Sequence, residues 1–375
     1  MENEWRTRLG YNPAPMRRIA LINQKGGVGK TTTTVNLGAA LALAGKRVVV
    51  VDLDPQANLT LYVGVELPAN APSSYRVLTG ECTIAAALRE TSTPNLRILP
   101  TDIHLSGAEL ELPGASGRET RLRDALEAWR AEHLELNRGE EPADYVLFDC
   151  PPSLGLLSLN ALAAADEVFL VVQTQFLALQ GLSRLVEVIE LVKQKLHPGL
   201  RLSGIVPCLY DSRMRLAREV LSELRRYFPA QVFRTPISAN VKLAESPSFG
   251  KTIFEYAPES IGARDFASLS HEVLAQAVLP RVAPAASAGA ASATPAKSKR
   301  RTVLQPVPPA PTAAPAAPPA STASTTPARK PRPTPSVPAA APAPAPVAPA
   351  PAPSAPVAPA AQVAARRTRS KPASS

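Results

Sequence analysis

The stretch NQKGGVGKTTT, Asn23 to Thr33, constrains this chain more than any other. A phosphate-binding loop reads Gly, four free positions, then Gly-Lys-Ser/Thr. Gly29-Lys30-Thr31 supplies the end of that pattern, but Gln24 stands where the first glycine belongs. One residue later comes Lys25, a second lysine that the ordinary pattern does not require. Such a loop needs a strand before it and a helix after it, and both are legible. RRIALIN (17–23) is a short apolar run, and TTTVNLGAALALAG carries apolar residues at helical spacing.

The same alternation continues through the first 281 residues. RVVVVD (47–52), YVLFD (145–149), VFLVVQ (168–173) and LSGIVPC (202–208) read as strands buried on both faces. RLRDALEAWRAEHL, LSRLVEVIELVKQKL and RLAREVLSELRRYF read as helices. This pattern predicts an α/β fold with a mostly parallel, doubly wound sheet and helices on both faces. Ligands in such a fold bind beyond the carboxyl ends of the strands, where the motifs below all fall.

Composition changes abruptly near residue 281. From Val282 onward there is no Asp or Glu, against 11 Lys or Arg and 23 of the chain's 41 prolines. The formal charge of the whole chain is +10, which leaves about −1 for residues 1–281. A segment so poor in bulky apolar residues cannot offset its ordering entropy, so residues 282–375 are expected to be extended or disordered. The expected organisation is an N-terminal extension (1–16), a nucleotide-binding domain (17–281) and a basic Pro/Ala-rich tail (282–375). The opening MENEWRTRLGYNPAP has no apolar run of the secretory kind. No segment reaches the roughly 18 uninterrupted apolar residues of a membrane span. Cys82, Cys150 and Cys208 show no CxxC spacing, which fits reduced thiols better than a disulfide or metal site.

Gly26, Gly27 and Gly29 would let backbone N–H groups curl around a phosphate, aided by the positive end of the following helix. Lys30 would neutralise the β- and γ-phosphates, and the Thr31 hydroxyl would take a magnesium position. Asp149 ends the run YVLFD, as an acid holding Mg²⁺ through water should. A dinucleotide fold is the main rival, because Gly27-Val28-Gly29 with Asp52 downstream loosely imitates its fingerprint. However, Thr32 occupies the third glycine position, and a lysine sits where a pyrophosphate needs only backbone.

KGGVGKTTT, VDLDPQANLT (51–60), FDCPPSLG (148–155) and NVKLAESPS (240–248) together resemble the deviant Walker A ATPases, and within them the ParA/Soj partition proteins. The similarity spans roughly residues 17 to 280. It implies that Lys25 reaches across a dimer interface to the partner's nucleotide, as an arginine finger would. It also implies a nucleotide loop of Lys25, Gly26, Gly27, Val28, Gly29, Lys30, Thr31 and Thr32, with Thr31, Asp52, Asp54 and Asp149 around the magnesium. Lys25, Lys30 and Asp54 form the implied catalytic set, in which Asp54 orients the attacking water and Asp52 supports the metal shell. For Asp52, a strand-end acid capping a turn before Pro55 is the plainer alternative. The implied cofactors are ATP and Mg²⁺. The implied partners are a second copy of the chain, a ParB-like protein that stimulates slow hydrolysis, and non-specific double-stranded DNA. A cytoplasmic, nucleoid-associated protein follows, with no membrane partner.

On a helix from Arg215 to Phe228, Arg215, Arg218, Arg225 and Arg226 fall within an arc of about 100°. An arginine face on a near-neutral domain is a candidate phosphate contact, or else a solvated face neutralised by Glu219 and Glu223. The resemblance favours DNA and adds Arg213 and Lys242. One departure stands out: Ile237-Ser238-Ala239-Asn240 replaces the family's common Ile-Pro-Arg-Asn, which predicts weaker DNA affinity from the folded domain. KSKRR (297–301), RKPR (329–332) and RRTRSK (366–371) in the tail would compensate, unless the tail is only a solubilising extension. Other readings are a positioning ATPase for a different cargo, such as a carboxysome-like body, and a MinD-like membrane ATPase. The latter needs a C-terminal amphipathic helix that an Ala/Pro tail cannot form. An iron–sulfur reductase would need cluster ligands that these cysteines do not supply.

Overall fold

The computed structural model describes residues 15–277, except 113, 138, 176 and 177. The expectations for the N-terminal extension up to residue 14 and for the basic tail lie outside the described residues.

Seven strands form one sheet among the described residues, in the order β3-β4-β2-β5-β1-β6-β7. They are β1 (Arg17–Ile22), β2 (Val48–Asp52), β3 (Arg89–Glu90), β4 (Leu96–Leu99), β5 (Tyr145–Asp149), β6 (Glu167–Gln173) and β7 (Arg201–Cys208). Every pairing is parallel except that of β3 with β4. The mostly parallel sheet expected from the alternating runs is therefore present, with a short antiparallel edge that those runs did not announce.

Helices follow in chain order: α1 (Lys30–Leu43), α2 (Asn58–Tyr62), α3 (Ser74–Thr79), α4 (Ile84–Ala87), α5 (Leu105–Glu111) and α6 (Arg121–Leu136). After these come α7 (Leu156–Ala164), α8 (Ala178–Lys195), α9 (Arg215–Tyr227), α10 (Val241–Glu245), α11 (Ile253–Tyr256) and α12 (Ile261–Ala275). Alternate strand residues feed two separate cores. Val49, Val51, Val146 and Phe148 pack with Leu126 and Trp129 of α6 and Leu157 of α7. Val48, Val50 and Leu147 pack with Val35 and Leu41 of α1 and Phe266 and Leu269 of α12. Burial on both faces is what makes these strands read as unbroken apolar runs.

The central position of β1, between β5 and β6, fixes the site. Leu21 lies opposite Asp149 of β5, and Asp149 lies opposite Asp52 of β2. Two carboxylates thus end neighbouring strands beside the loop that leaves β1. At the opposite end of the sheet, Arg17 pairs with Glu167 and Arg18 with Asp166, all buried. These pairs tie β1 to the start of β6, away from the loop end.

Candidate nucleotide site and nucleic-acid interface

The chain leaves β1 and turns into α1 through a loop whose shape depends on glycine. Gly29 is the N-cap of α1 at φ +97°, and no side chain caps the first turn. Its left-handed backbone is one that glycine adopts without steric cost. The N–H groups of that turn are therefore free to meet an anion at the positive end of the helix. Asn23 anchors the loop: its amide donates to Val171 O at 2.6 Å and its Oδ1 accepts from Lys25 N at 2.9 Å.

A cavity of about 610 Å³ opens in front of this loop. Gly26, Gly27, Gly29, Lys30, Thr31 and Thr32 line one side, with Asp54 and Pro152 nearby and Leu243 and Pro247 on the chain beyond β7. Val28 points elsewhere, into the core under α1, so only its backbone belongs to the loop. Lys25 is also absent from this wall. Its ammonium donates to Gln173 Oε1 at 2.9 Å and to Gln175 Oε1 at 3.2 Å, in a smaller neighbouring cavity. Lys30, by contrast, is buried at the nucleotide cavity, and its Nζ lies 3.4 Å from Lys25 O. Burial lowers its pKa against the opposing pull of Asp149.

Behind Lys30 sits the metal side of the site. Thr31 Oγ1 donates to Asp149 Oδ2 at 2.7 Å, and Thr34 Oγ1 donates to Asp149 Oδ1 at 3.3 Å. Burial, with the neighbouring charge of Asp52, pushes the Asp149 pKa up to about 8. A buried acid in that condition favours a nearby cation, which would restore its charge. No group of three or more His, Cys, Asp or Glu among the described residues is placed to hold a metal by itself. Mg²⁺ fits such a setting, because it keeps several waters and relies on one or two protein oxygens plus phosphate. The Thr31 hydroxyl and the Asp149 carboxylate are the residues that would hold it.

The other two acids differ from each other. Asp54 lines the cavity, and its Oδ1 accepts from Gln56 N at 3.0 Å. Asp52 does not line the cavity. Its Oδ2 accepts from Thr60 N at 2.9 Å and Thr60 Oγ1 at 2.7 Å, and its Oδ1 accepts from Asp54 N at 3.1 Å. Burial raises its pKa to about 6, opposed by the Thr60 hydrogen bonds. Its carboxylate shapes the loop that presents Asp54, which is the plainer of the two roles open to it from sequence. Thr34, Thr60 and the two glutamines that hold Lys25 were not singled out from sequence. The TTTT run offered a signal for Thr34, three residues from Thr31 on the same helix face.

After β7 in the chain, α9 presents the expected arginines, but most are engaged. Arg213, whose side chain is 89% exposed, grips Asp211 through Nε at 3.0 Å and Nη2 at 2.8 Å. Arg215 pairs with Glu219 at 2.7 Å, Arg226 with Glu223 at 3.7 Å and Lys242 with Glu245 at 2.9 Å. Arg218 and Arg225 differ, donating to the carbonyls of Ser212 and Arg234 at 2.6 and 2.9 Å. Asn240 caps α10 by accepting from Lys242 N at 2.7 Å. The Ser238-Ala239 departure is accommodated by backbone bonds, Ser238 N to Asp265 Oδ2 and Ala239 N to Tyr210 O.

A mostly parallel sheet, a Gly-Lys-Thr loop at its central strand and an acid ending the adjacent strand define a phosphate-loop nucleoside triphosphatase. ATP and Mg²⁺ are the cofactors of this class of site. A family model described as an AAA domain matches residues 16–202. The chromosome partitioning protein ParA of Caulobacter vibrioides (strain NA1000 / CB15N) is 43% identical over 262 residues, covering 70% of this chain and 95% of the relative. The sporulation initiation inhibitor protein Soj of Bacillus subtilis (strain 168) is 44% identical over 257 residues, covering 68% and 98%. Among solved structures, a cobyrinic acid a,c-diamide synthase from Mycobacterium smegmatis with bound ADP and magnesium superposes with a TM-score of 0.59 at 35% identity, covering 72% of this chain and all of that one. The chain belongs to the ParA/Soj family of partition ATPases. Among its described residues no helix is long and apolar enough to cross a membrane.

Proposed function

We propose that this chain is an ATP-switched dimer that binds duplex DNA without sequence preference and drives chromosome or plasmid partition with a ParB-like partner. The observation that carries this reading is the placement of the two loop lysines. Lys30 lines the nucleotide cavity of its own chain, whereas the exposed Lys25 is held by neutral amides outside it. A cation displayed beside, rather than inside, its own nucleotide site is suited to reach a second copy's phosphates. Binding of ATP then couples to dimerisation through charge. Hydrolysis uses Asp54 to orient water, Thr31 and Asp149 to hold Mg²⁺, and Lys30 to neutralise the phosphates.

DNA contact falls to the arginines of α9 with Arg213 and Lys242. Their ion pairs are solvent-exposed, and exposed pairs are weak and screened by salt. Backbone phosphates of DNA can therefore replace Asp211, Glu219, Glu223 and Glu245 as partners. Two chains side by side double the patch, which makes affinity depend on dimerisation. The test is turnover of ATP by the full chain alone, with DNA, with a ParB-like partner, and with both. Slow basal turnover that rises only when the partner is present supports the reading. Turnover indifferent to both additions contradicts it.

A further inference from the structure

The loop carrying Asp54 and the segment carrying Lys242 meet at the nucleotide cavity. Asp54 is followed by α2, whose Leu61 and Tyr62 line that cavity. Lys242 lies in α10, which runs directly into a 3-10 turn, Ser246–Phe249, whose Pro247 and Ser248 line it too. Between them stands a buried hydrogen-bond chain. Tyr62 Oη lies 2.8 Å from Ser246 Oγ and accepts from Asn36 Nδ2 at 2.9 Å. Asn36, on α1, also donates to Thr32 O at 2.8 Å and accepts from Ile253 N at 2.7 Å. Tyr62 is 2% exposed, and Asn36 and Ser246 are 0% exposed. A backbone contact reinforces the junction. A Cβ on Gly64 would sit 2.9 Å from Gly250 O, and one on Gly250 would sit 2.9 Å from Gly64 Cα.

We infer that the Tyr62–Ser246 hydrogen bond, positioned by Asn36, couples nucleotide occupancy to the DNA-contacting segment, so that ATP raises DNA affinity through it. This rests on the DNA-binding reading above and assigns the regulation of that same surface. Leu61 and Tyr62 of α2 and Pro247 and Ser248 of the 3-10 turn line the same cavity, so a nucleotide bound there would lie between them and would favour the arrangement in which the two are joined. The bond is buried, so it is either made or lost at the full cost of desolvated hydroxyls; it does not stretch gradually. Asn36 extends the chain to the carbonyl of Thr32 in the first turn of α1, which places that turn, the Asp54 segment and the Lys242 segment in one connected set. Linkage then requires the reciprocal effect: DNA on the Lys242 segment raises ATP affinity by the same factor. Tyr62 and Ser246 are positioning residues in this scheme.

Ser246→Ala breaks the link while the Tyr62 oxygen still accepts from Asn36; only the Tyr62 O–H proton loses its partner. DNA affinity of the full chain is measured at fixed salt in ATP and in ADP, for wild type and variant. The ratio of the two affinities should fall by about fivefold or more in the variant. ATP affinity without DNA should stay near wild type while the melting temperature falls modestly for one lost buried hydrogen bond; a merely structural role for Ser246 would lower the melting temperature and leave the affinity ratio unchanged. Tyr62→Phe, which keeps the ring and loses the hydroxyl, should lower the ratio in the same direction. An unchanged ratio in either folded variant overturns the coupling. A wild-type protein that binds DNA equally in ATP and ADP overturns the reading beneath it, and the coupling with it.

Discussion

Lys25 Nζ lies 2.9 Å from Gln173 Oε1, in a cavity separate from the one Lys30 lines. Two lysines five positions apart in one loop therefore face different surroundings. Gln173 ends β6, the strand that flanks β1, so the amide is fixed by the sheet itself. An amide oxygen is a neutral acceptor, weaker for an ammonium than a carboxylate or phosphate. The contact holds Lys25 in place without committing its charge.

Lys25→Ala should abolish ATP-driven dimerisation while leaving single-subunit ATP affinity within about threefold of wild type, under 1 kcal/mol. The side chain makes no contact with its own nucleotide cavity, so its loss costs the single subunit little. Light scattering with and without ATP, beside direct nucleotide titration, reads both quantities. Normal dimers in ATP would remove the trans role.

Asp54→Ala should lower partner-stimulated turnover by about a hundredfold or more, since a group positioning or activating the attacking water contributes on that scale. The phosphate contacts survive, so the variant should remain dimeric and DNA-bound in ATP. Lys30→Ala should differ in kind and lose ATP binding itself. Phosphate release and filter retention on DNA separate the two outcomes. Wild-type turnover in Asp54→Ala would reassign the water.

The buried acids make a pH prediction. Without nucleotide, Asp149 titrates near 8 and Asp52 near 6, both above the range of about 3.9 for an unfolded Asp. A raised acid binds its proton more tightly in the folded state. The stability this confers is fully present below about pH 4 and is lost as pH rises through the folded pKa values. Asp149→Asn removes the larger share. Between pH 5 and 8 its urea midpoint should fall less than that of wild type, both measured without nucleotide. Mg²⁺ with ATP favours the carboxylate, so wild-type affinity for the pair should rise across the same range with proton release. A wild-type slope retained by the variant would place the titration elsewhere.

On α9 and beside it, the arginines divide by partner. Arg218 and Arg225 donate to carbonyls and keep their full charge, whereas Arg213 is neutralised by Asp211. Arg213 holds the Asp211 pKa down to about 2, so this pair stays ionised at any working pH. Arg218→Ala and Arg225→Ala should each reduce the slope of log DNA affinity against log salt by about 0.9. Asp211→Asn should strengthen DNA binding by freeing Arg213 for phosphate. A weakened or unaltered Asp211→Asn would exclude Arg213 from the interface.

Much of this architecture was readable because burial on both faces leaves a plain mark. All five strands expected from apolar runs are present within a residue at either end. The edge was not readable: β3 has two residues, Arg89–Glu90, and β4 reads LRIL, interrupted by Arg97. Strands that short carry no period. The helices α7 and α12 carry no plain helical stripe either, since α7 is buried on nearly every face and α12 is rich in Ala and Ser. At the site, the loop was legible in its Gly-Lys-Thr pattern and Asp149 in its place at the end of an apolar run. The engagement of Asp52 by Thr60 did not, because the partner lies eight residues on and depends on how the chain turns after Pro55. The ion pairs of α9 were half legible: Glu219 and Glu223 sit at helical spacing from their arginines, but Asp211 lies before the helix begins.

We propose that the basic tail acts as an electrostatic tether. Residues 282–375 carry 11 positive charges and no negative ones, joined to a chain whose remainder is near −1. Each phosphate the tail neutralises on duplex DNA should add roughly 0.9 to the salt slope of binding. Its charges fall in three clusters, KSKRR, RKPR and RRTRSK, separated by long neutral stretches. Only some of these engage at once, so deleting residues 282–375 should lower the slope by about 3 to 6 per chain. ATP hydrolysis without DNA should be unaffected, because every nucleotide motif lies upstream. The folded patch on α9 should retain the dependence on ATP, so the ratio of affinities in ATP and ADP survives truncation while both affinities fall. An inert spacer predicts the same slope before and after the deletion. A salt titration of full-length and truncated protein on the same duplex, each in ATP, decides between tether and spacer.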